Sequence, residues 1–379
     1  MKLRNIKNLI YFSFGRSDFH IIEPMLKKIS LTKKIKVNIV MTGSHSKDKL
    51  KDFKKFKSIN YKYIKINYFK NSSSKSILKI SSSIISKLSN FLIKKKPEVI
   101  LLLGDRSETF LTAYCATILQ IPIVHFHGGE LSSGSYDDSF RHSISKMSRW
   151  HFVATENSKK RLVQLGEDKK NIFNIGSLVS QNLKSINYSS VSEIEKKFNI
   201  KIKKKFALMT YHPTTLNPSM DIKIVQNIIQ SLTKHKIFTI ITSANADVNS
   251  LFITKFIKRK IAKHKNFIFM SNLGSKNYLS LLKKSSFLIG NSSSGIIEAP
   301  LYFKHSITVG DRQKNREKSK LVLESDGSIK SINSCIEKTK KVKKKIYSPY
   351  YKPSSIDNCM KILLKIKLPK NLIKNFIDK

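Results

Sequence analysis

From residue 8 onward, short apolar runs alternate with stretches whose apolar residues recur every three or four positions, the pattern of strands and helices taking turns. Runs at 8–14, 36–41, 61–66, 98–103, 121–126, 150–154 and 171–175 read as buried strands. Helical periodicity fills 21–30, 75–95, 107–119, 139–148 and 157–165 between them. A stretch at 181–205, mixing Asn, Ser and Lys with only a weak helix, interrupts the series. It resumes with strands 206–210, 237–242, 266–270, 286–290 and 306–309, and helices near 221–233, 248–262, 275–284 and 295–303. A last helical stretch covers 354–366. Such alternation builds parallel sheets covered by helices on both faces. The expected fold is α/β, two doubly wound Rossmann-like domains facing each other across a cleft. The pattern implies an N-terminal domain over 1–180, a connection over 181–205, a C-terminal domain over 206–350 and a terminal helical segment over 351–379.

At 379 residues the chain is long enough for two such domains. The formal net charge of +47 invites a nucleic-acid reading, but the cationic residues are overwhelmingly lysines scattered over nearly every surface segment. Stacking aromatics are not interleaved with them, so the charge reads as filling solvated faces, and no nucleic-acid partner is expected. The nine arginines are different, because five of them (Arg16, Arg106, Arg141, Arg312 and Arg316) fall inside motif-like stretches. Their planar fork suits bidentate contacts to phosphate or carboxylate. Three widely spaced cysteines (Cys115, Cys335, Cys359) give neither a disulfide framework nor a metal spacing, and a reducing, cytoplasmic setting fits. The run Leu9–Phe14 is too short for a signal sequence and reads as the first core strand; no segment approaches the ~20 apolar residues of a membrane span.

In doubly wound sheets ligands sit beyond the carboxyl ends of the strands. The chemically suggestive loops all fall there, at 14–18, 104–108, 125–141, 211–215 and 290–298. The stretch Phe287–Pro300 reads as a strand, then Gly290-Asn291, three serines and Gly295, opening an amphipathic helix that Ser292 or Ser293 caps. Backbone N–H groups and the helix dipole there suit a phosphate, and Glu298 suits the paired hydroxyls of a ribose. Gly104-Asp105-Arg106 follows a strand directly, with Asp105 placed to cap the next helix. His125-Phe-His127-Gly-Gly-Glu130 offers two histidines, a flexible break and a carboxylate; its spacing is not a familiar zinc pattern, and no metal is expected. Asp137 and Asp138 open a helix, with Arg141 on the face of Asp138. Tyr211-His212-Pro213 and Gly310-Asp311-Arg312 leave strands of the second domain. One phosphate cradle, several arginines, and acids with histidines suit acid–base chemistry on a nucleotide-linked substrate.

In this order and spacing, GDRSE, HFHGGE, DDSFRH, YHPTT, GNSSSGIIEAP and VGDRQKNRE resemble the UDP-N-acetylglucosamine 2-epimerase family over roughly residues 8–345, most closely its hydrolysing branch. The resemblance implies a GT-B-like fold with the site between domains, a C-terminal helix crossing back (354–366), and no cofactor. It places Arg16, His212, Ser292, Ser293 and Arg312 around UDP and Glu298 on the ribose. Asp18, Arg106, Arg141, Asn291 and Gly295 join them as binding residues. Asp105, His127, Asp138 and His212 match positions proposed for proton transfer, with Glu130 beside them. Non-hydrolysing relatives carry Glu where His127 stands, so His127 or Glu130 takes that role here. The family's first loop commonly reads Gly-Thr-Arg, where this chain has Phe14-Gly15-Arg16. A homo-oligomer is implied. The rival readings are a non-hydrolysing epimerase and a GT-B UDP-sugar glycosyltransferase.

Overall fold

The computed structural model describes residues 4–43, 45, 58–66, 74–132, 136–183, 186–214, 218–243, 250–271, 273–341, 348–369 and 373–378. Parts of the expected stretches therefore lie outside the described residues, among them 133–135, 184–185, Thr215, 370–372 and the start of the 248–262 helix.

The chain divides into two units, one of Met1–Glu130, Tyr136–Asn182 and Lys352–Lys379, the other of Leu131–Ser135 and Leu183–Tyr351. The first contains β1 (Asn8–Ser13), β2 (Lys36–Met41), β3 (Ile59–Tyr63), β4 (Val99–Leu103), β5 (Ile123–Phe126), β6 (Trp150–Val153) and β7 (Ile172–Asn174). They form a parallel sheet in the order β3-β2-β1-β4-β5-β6-β7. The second contains β8 (Ala207–Thr210), β9 (Thr239–Thr242), β10 (Phe267–Met270), β11 (Phe287–Gly290), β12 (His305–Val309) and β13 (Val322–Ser325). They form another parallel sheet in the order β10-β9-β8-β11-β12-β13. Both orders reverse once, between β1 and β4 and between β8 and β11. A crevice opens at such a switch point, so the loops that follow these four strands are placed for a ligand.

Successive strand side chains point to opposite faces, and here both faces are buried. Leu9, Tyr11, Val99, Leu101 and Leu103 pack on one side of the first sheet, Ile10, Phe12, Ile100 and Leu102 on the other. The C-terminal helix Ser355–Lys365 belongs to the first of these layers. Its Ile356, Cys359, Met360 and Leu363 are buried with Phe19, Ile22, Met25 and Leu26 of the helix Arg16–Leu31. In the second unit, Met209, Ile241, Ile289 and Ile307 form one layer and Leu208, Ile240 and Leu288 the other.

Three features depart from the sequence pattern. The edge strand β13 and the helix Ile329–Thr339 were not anticipated, because Val322-Leu-Glu-Ser is short and only its last residue is buried. The segment Val191–Phe198 is a well-specified helix. Ser190 accepts from Glu193 N–H while the Glu193 carboxylate accepts from Ser190 N–H, a reciprocal cap. The helix expected over 295–303 is a 3₁₀ turn, Ser293–Gly295, followed by only four α-helical residues, Glu298–Leu301. Among the described residues no helix is long and apolar enough to cross a membrane. Cys115, Cys335 and Cys359 are buried free thiols.

Candidate active site

The carboxyl ends of β4 and β5 and the helix Asp137–Met147 bring four ionisable residues of the first unit into one network. Gly104 ends β4 with φ +82°, the left-handed region that favours glycine, and turns Asp105 out of the strand. The expected helix cap does not form, since Arg106 occupies the cap position and Asp105 reaches instead to Arg141. A charged partner outcompetes a backbone N–H for this carboxylate. Arg141 is 5 % exposed, lies 3.6 Å from Glu130 Oε2, and donates through Nη1 to the His127 carbonyl at 3.3 Å. Glu130 Oε1 sits 2.7 Å from His127 Nδ1. A carboxylate beside an arginine accepts, so Nδ1 carries the proton and Nε2 is the nitrogen left for proton exchange.

His127 has φ +62°, a backbone state that costs free energy in a side-chain-bearing residue and gathers at functional sites. Gly129 follows with φ +72°, where a Cβ would sit 2.4 Å from the Ser158 carbonyl. The motif's glycines thus let the chain fold back tightly enough for Glu130 to meet a histidine three residues earlier.

His125 has a different part. It is wholly buried, with Nε2 donating to the Gly104 carbonyl at 2.8 Å and Nδ1 3.0 Å from Ser145 Oγ. Burial pushes its pKa down to about 3, and the Gly104 carbonyl only partly opposes that, so the ring is neutral and ties the Asp105 loop to β5. Asp138 stands in the first helical turn, 3.5 Å from His142 Nε2, while Arg106 Nε lies 3.5 Å from Glu108. Arg16 opens the helix Arg16–Leu31, with its side chain outside the described residues, and half-buried Asp18 lies in the same first turn.

The second unit assembles its loops around Asn291. Its Oδ1 accepts from His212 N–H and its Nδ2 donates to the His212 carbonyl, each at 2.7 Å. Asn291, expected among the ligand-binding residues, thus has its amide engaged by the protein, locking the histidine's peptide groups as a paired strand would. The Asn291 carbonyl in turn accepts from Arg312 Nη1 at 3.3 Å and Gln313 Nε2 at 3.0 Å. Three loops, after β8, β11 and β12, therefore converge on one asparagine. Gly290 makes this possible: a Cβ there would meet the Thr210 carbonyl at 1.9 Å.

Beyond it, Ser292 Oγ caps Ser294 N–H at 3.3 Å, and Ser294 Oγ accepts from Tyr278 at 2.8 Å. Ser306 Oγ donates to the Gly295 carbonyl. Ser293 is exposed and Glu298 half-buried at the start of the short helix. Four helical residues make a weak dipole, so an anion here would rely on backbone N–H groups and Arg312 more than on the macrodipole expected from sequence. Tyr278 and Gln313 carry no signal of their own in the sequence; His125, one of the two histidines that the sequence sets before Glu130, is the structural tie between Gly104 and β5.

The profile of the UDP-N-acetylglucosamine 2-epimerase family matches residues 27–364. A GDP/UDP-N,N'-diacetylbacillosamine 2-epimerase (hydrolyzing) of Campylobacter jejuni is 37% identical over 88% of this chain and 87% of its own. The UDP-N,N'-diacetylbacillosamine 2-epimerase (hydrolyzing) of Legionella pneumophila is 30% identical over 97% and 98%. Among solved structures, the UDP-GlcNAc 2-epimerase of Neisseria meningitidis bound to UDP-GlcNAc shares the fold, with a TM-score of 0.79 at 21% identity over 95% of this chain and 100% of that one. With its two doubly wound sheets and this likeness along nearly its whole length, the chain belongs to the UDP-N-acetylglucosamine 2-epimerase family.

Proposed function

We propose that this protein is a hydrolysing 2-epimerase of UDP-linked 2-acetamido sugars, releasing UDP and the free manno-configured sugar. The observation that carries the reading is the network of buried His127, Glu130 and Arg141 with half-buried Asp105, in which a strained histidine is backed by a carboxylate. A C2 hydrogen beside an acetamido group is barely acidic, so its removal accompanies departure of UDP from C1. The C2–H electrons form the C1–C2 double bond, the C1–O electrons leave with UDP, and the proton passes to a base. Water then adds its hydroxyl at C1 while C2 takes a proton on the opposite face, so one water is consumed. His127, held by Glu130, and the more accessible Asp105 and Asp138 serve as the proton-transfer groups, with His212 as a further candidate. Ser292, Ser293, Gly295, Arg312 and Arg16 serve the nucleotide phosphates, Glu298 the ribose, and Arg106 and Asp18 the loops beside them. Stabilising the charge that grows on UDP is the largest single requirement.

The two hydrolysing relatives named for diacetylbacillosamine favour the 2,4-diacetamido-6-deoxy sugar over N-acetylglucosamine as the natural substrate. The buried free thiols fit a cytoplasmic setting, and the family likeness favours a homo-oligomer, which light scattering reads directly. The deciding experiment incubates the protein with each UDP-sugar in deuterated water under proton NMR. UDP with a free manno sugar deuterated at C2 is the expected outcome. A nucleotide-bound manno product would make it the non-hydrolysing kind, and turnover of neither sugar would overturn the proposal.

A further inference from the structure

Asp221 lies outside every motif described above, yet it holds the segment that carries His212. It stands in the first turn of the helix Pro218–Lys234 and is 1 % exposed. Its Oδ1 accepts from the Tyr211 hydroxyl at 2.8 Å and its Oδ2 from the Thr214 backbone N–H at 2.8 Å. The Thr214 hydroxyl lies 3.2 Å from both oxygens. An aspartate whose role was only to cap its helix would face the helix's own first N–H groups. This one faces residues that precede the helix.

Tyr211 and Thr214 bracket His212-Pro213, so one buried carboxylate ties the chain down on either side of the histidine. Asn291 holds the peptide groups of His212 itself from another loop. Burial raises the Asp221 pKa, opposed by the donors from Thr214 and Tyr211 and by the charge of Arg312. Four residues of loop, two of them flanking Pro213, are therefore fixed by two side chains from separate elements.

We propose that Asp221 is a positioning residue for His212, clamping Tyr211–Thr214 so that the imidazole is presented in one orientation to the sugar nucleotide. This rests on the reading that His212 serves that substrate. Removing the carboxylate frees the loop on both sides of the histidine, and a displacement of about 1 Å at a reacting group costs on the order of 100-fold in rate.

The test compares Asp221→Ala, Asp221→Asn and Tyr211→Phe with the wild type. Asparagine retains an acceptor for the Thr214 N–H, and its amide can donate to the Tyr211 oxygen, so it is the conservative rescue. Steady-state kinetics, calorimetric UDP binding and NMR of histidine-labelled protein are read together, the His212 signal being assigned by its loss in His212→Ala. Asp221→Ala is expected to lower kcat on the order of 10- to 100-fold, with a smaller change in UDP affinity. The His212 ring signal shifts or broadens while the other histidine signals stay in place. Asp221→Asn restores most of the rate, and Tyr211→Phe moves the same signal by less. Tyr211→Phe decides the matter if Asp221→Ala does not fold. A His212 signal and kcat that match the wild type in a folded variant would overturn the proposal, as would displacement of all histidine signals together. If the wild type turns over no sugar nucleotide, the functional reading fails, and the His212 signal still judges the clamp.

Discussion

In the first unit the groups at the strand ends are charges that neutralise one another. Arg141 bridges Asp105 and Glu130, and Glu130 holds His127. In the second unit, at the equivalent switch point of an equivalent sheet, the central group is an uncharged amide. Asn291 joins His212, Arg312 and Gln313 through its amide and carbonyl, and serine hydroxyls shape the turn beyond it. The difference is chemical. Ionisable side chains held in a fixed arrangement can move protons at one pH, whereas backbone and amide groups recognise a ligand without changing their own charge. One sheet order therefore carries two kinds of loop chemistry, and the proposed function gives each a separate task.

The largest effect expected is on the charged side. His127→Ala should cut turnover by about 10²–10⁴-fold with the melting temperature near wild type. Activity close to wild type would shift the base to Asp138 or Glu130 and break the contrast. Arg141→Met comes next, because it removes the guanidinium that Asp105 and the buried Glu130 share; a loss of about 3–5 kcal/mol is expected by urea unfolding. On the uncharged side, Asn291→Asp removes the donor to the His212 carbonyl and adds a negative charge beside the loop proposed to take the phosphates. Calorimetry should show UDP bound roughly tenfold more weakly, with the first unit's hydrogen exchange unchanged. The effect confined to acid conditions is the pH dependence set by His125. Its folded pKa is depressed to about 3 from 6.5, so its contribution is present above 6.5 and fades as pH falls towards 3. His125→Gln should flatten the stability profile across that window.

Much of this was legible in the sequence because buried parallel strands read as unbroken apolar runs. Val99–Leu103 and Phe287–Gly290 could be placed almost to the residue, and the loops after them followed. The partnerships were not legible. Asp105 and Arg141 are 36 residues apart, and nothing local distinguishes a capping aspartate from one drawn to a distant guanidinium. Asn291 looked like one more small polar residue in a ligand loop, since side-chain pairing with the His212 backbone arises only when β8 and β11 lie side by side. The truncated helix after Gly295 escaped because its apolar residues, Ile296 and Ile297, are buried in the 3₁₀-to-α transition without the turn being regular.

The return of Ser355–Lys365 to the first unit has a consequence for how the protein is made. During synthesis the whole of Leu183–Tyr351 leaves the ribosome before the helix that completes the first core. Domains tend to fold as units in the order they emerge. Here the first to appear keeps the apolar face of Arg16–Leu31 partly uncovered until the second has been translated. A chain cut at Tyr351 would release a finished second unit tethered to an unfinished first one, so chaperone dependence should concentrate on the N-terminal half.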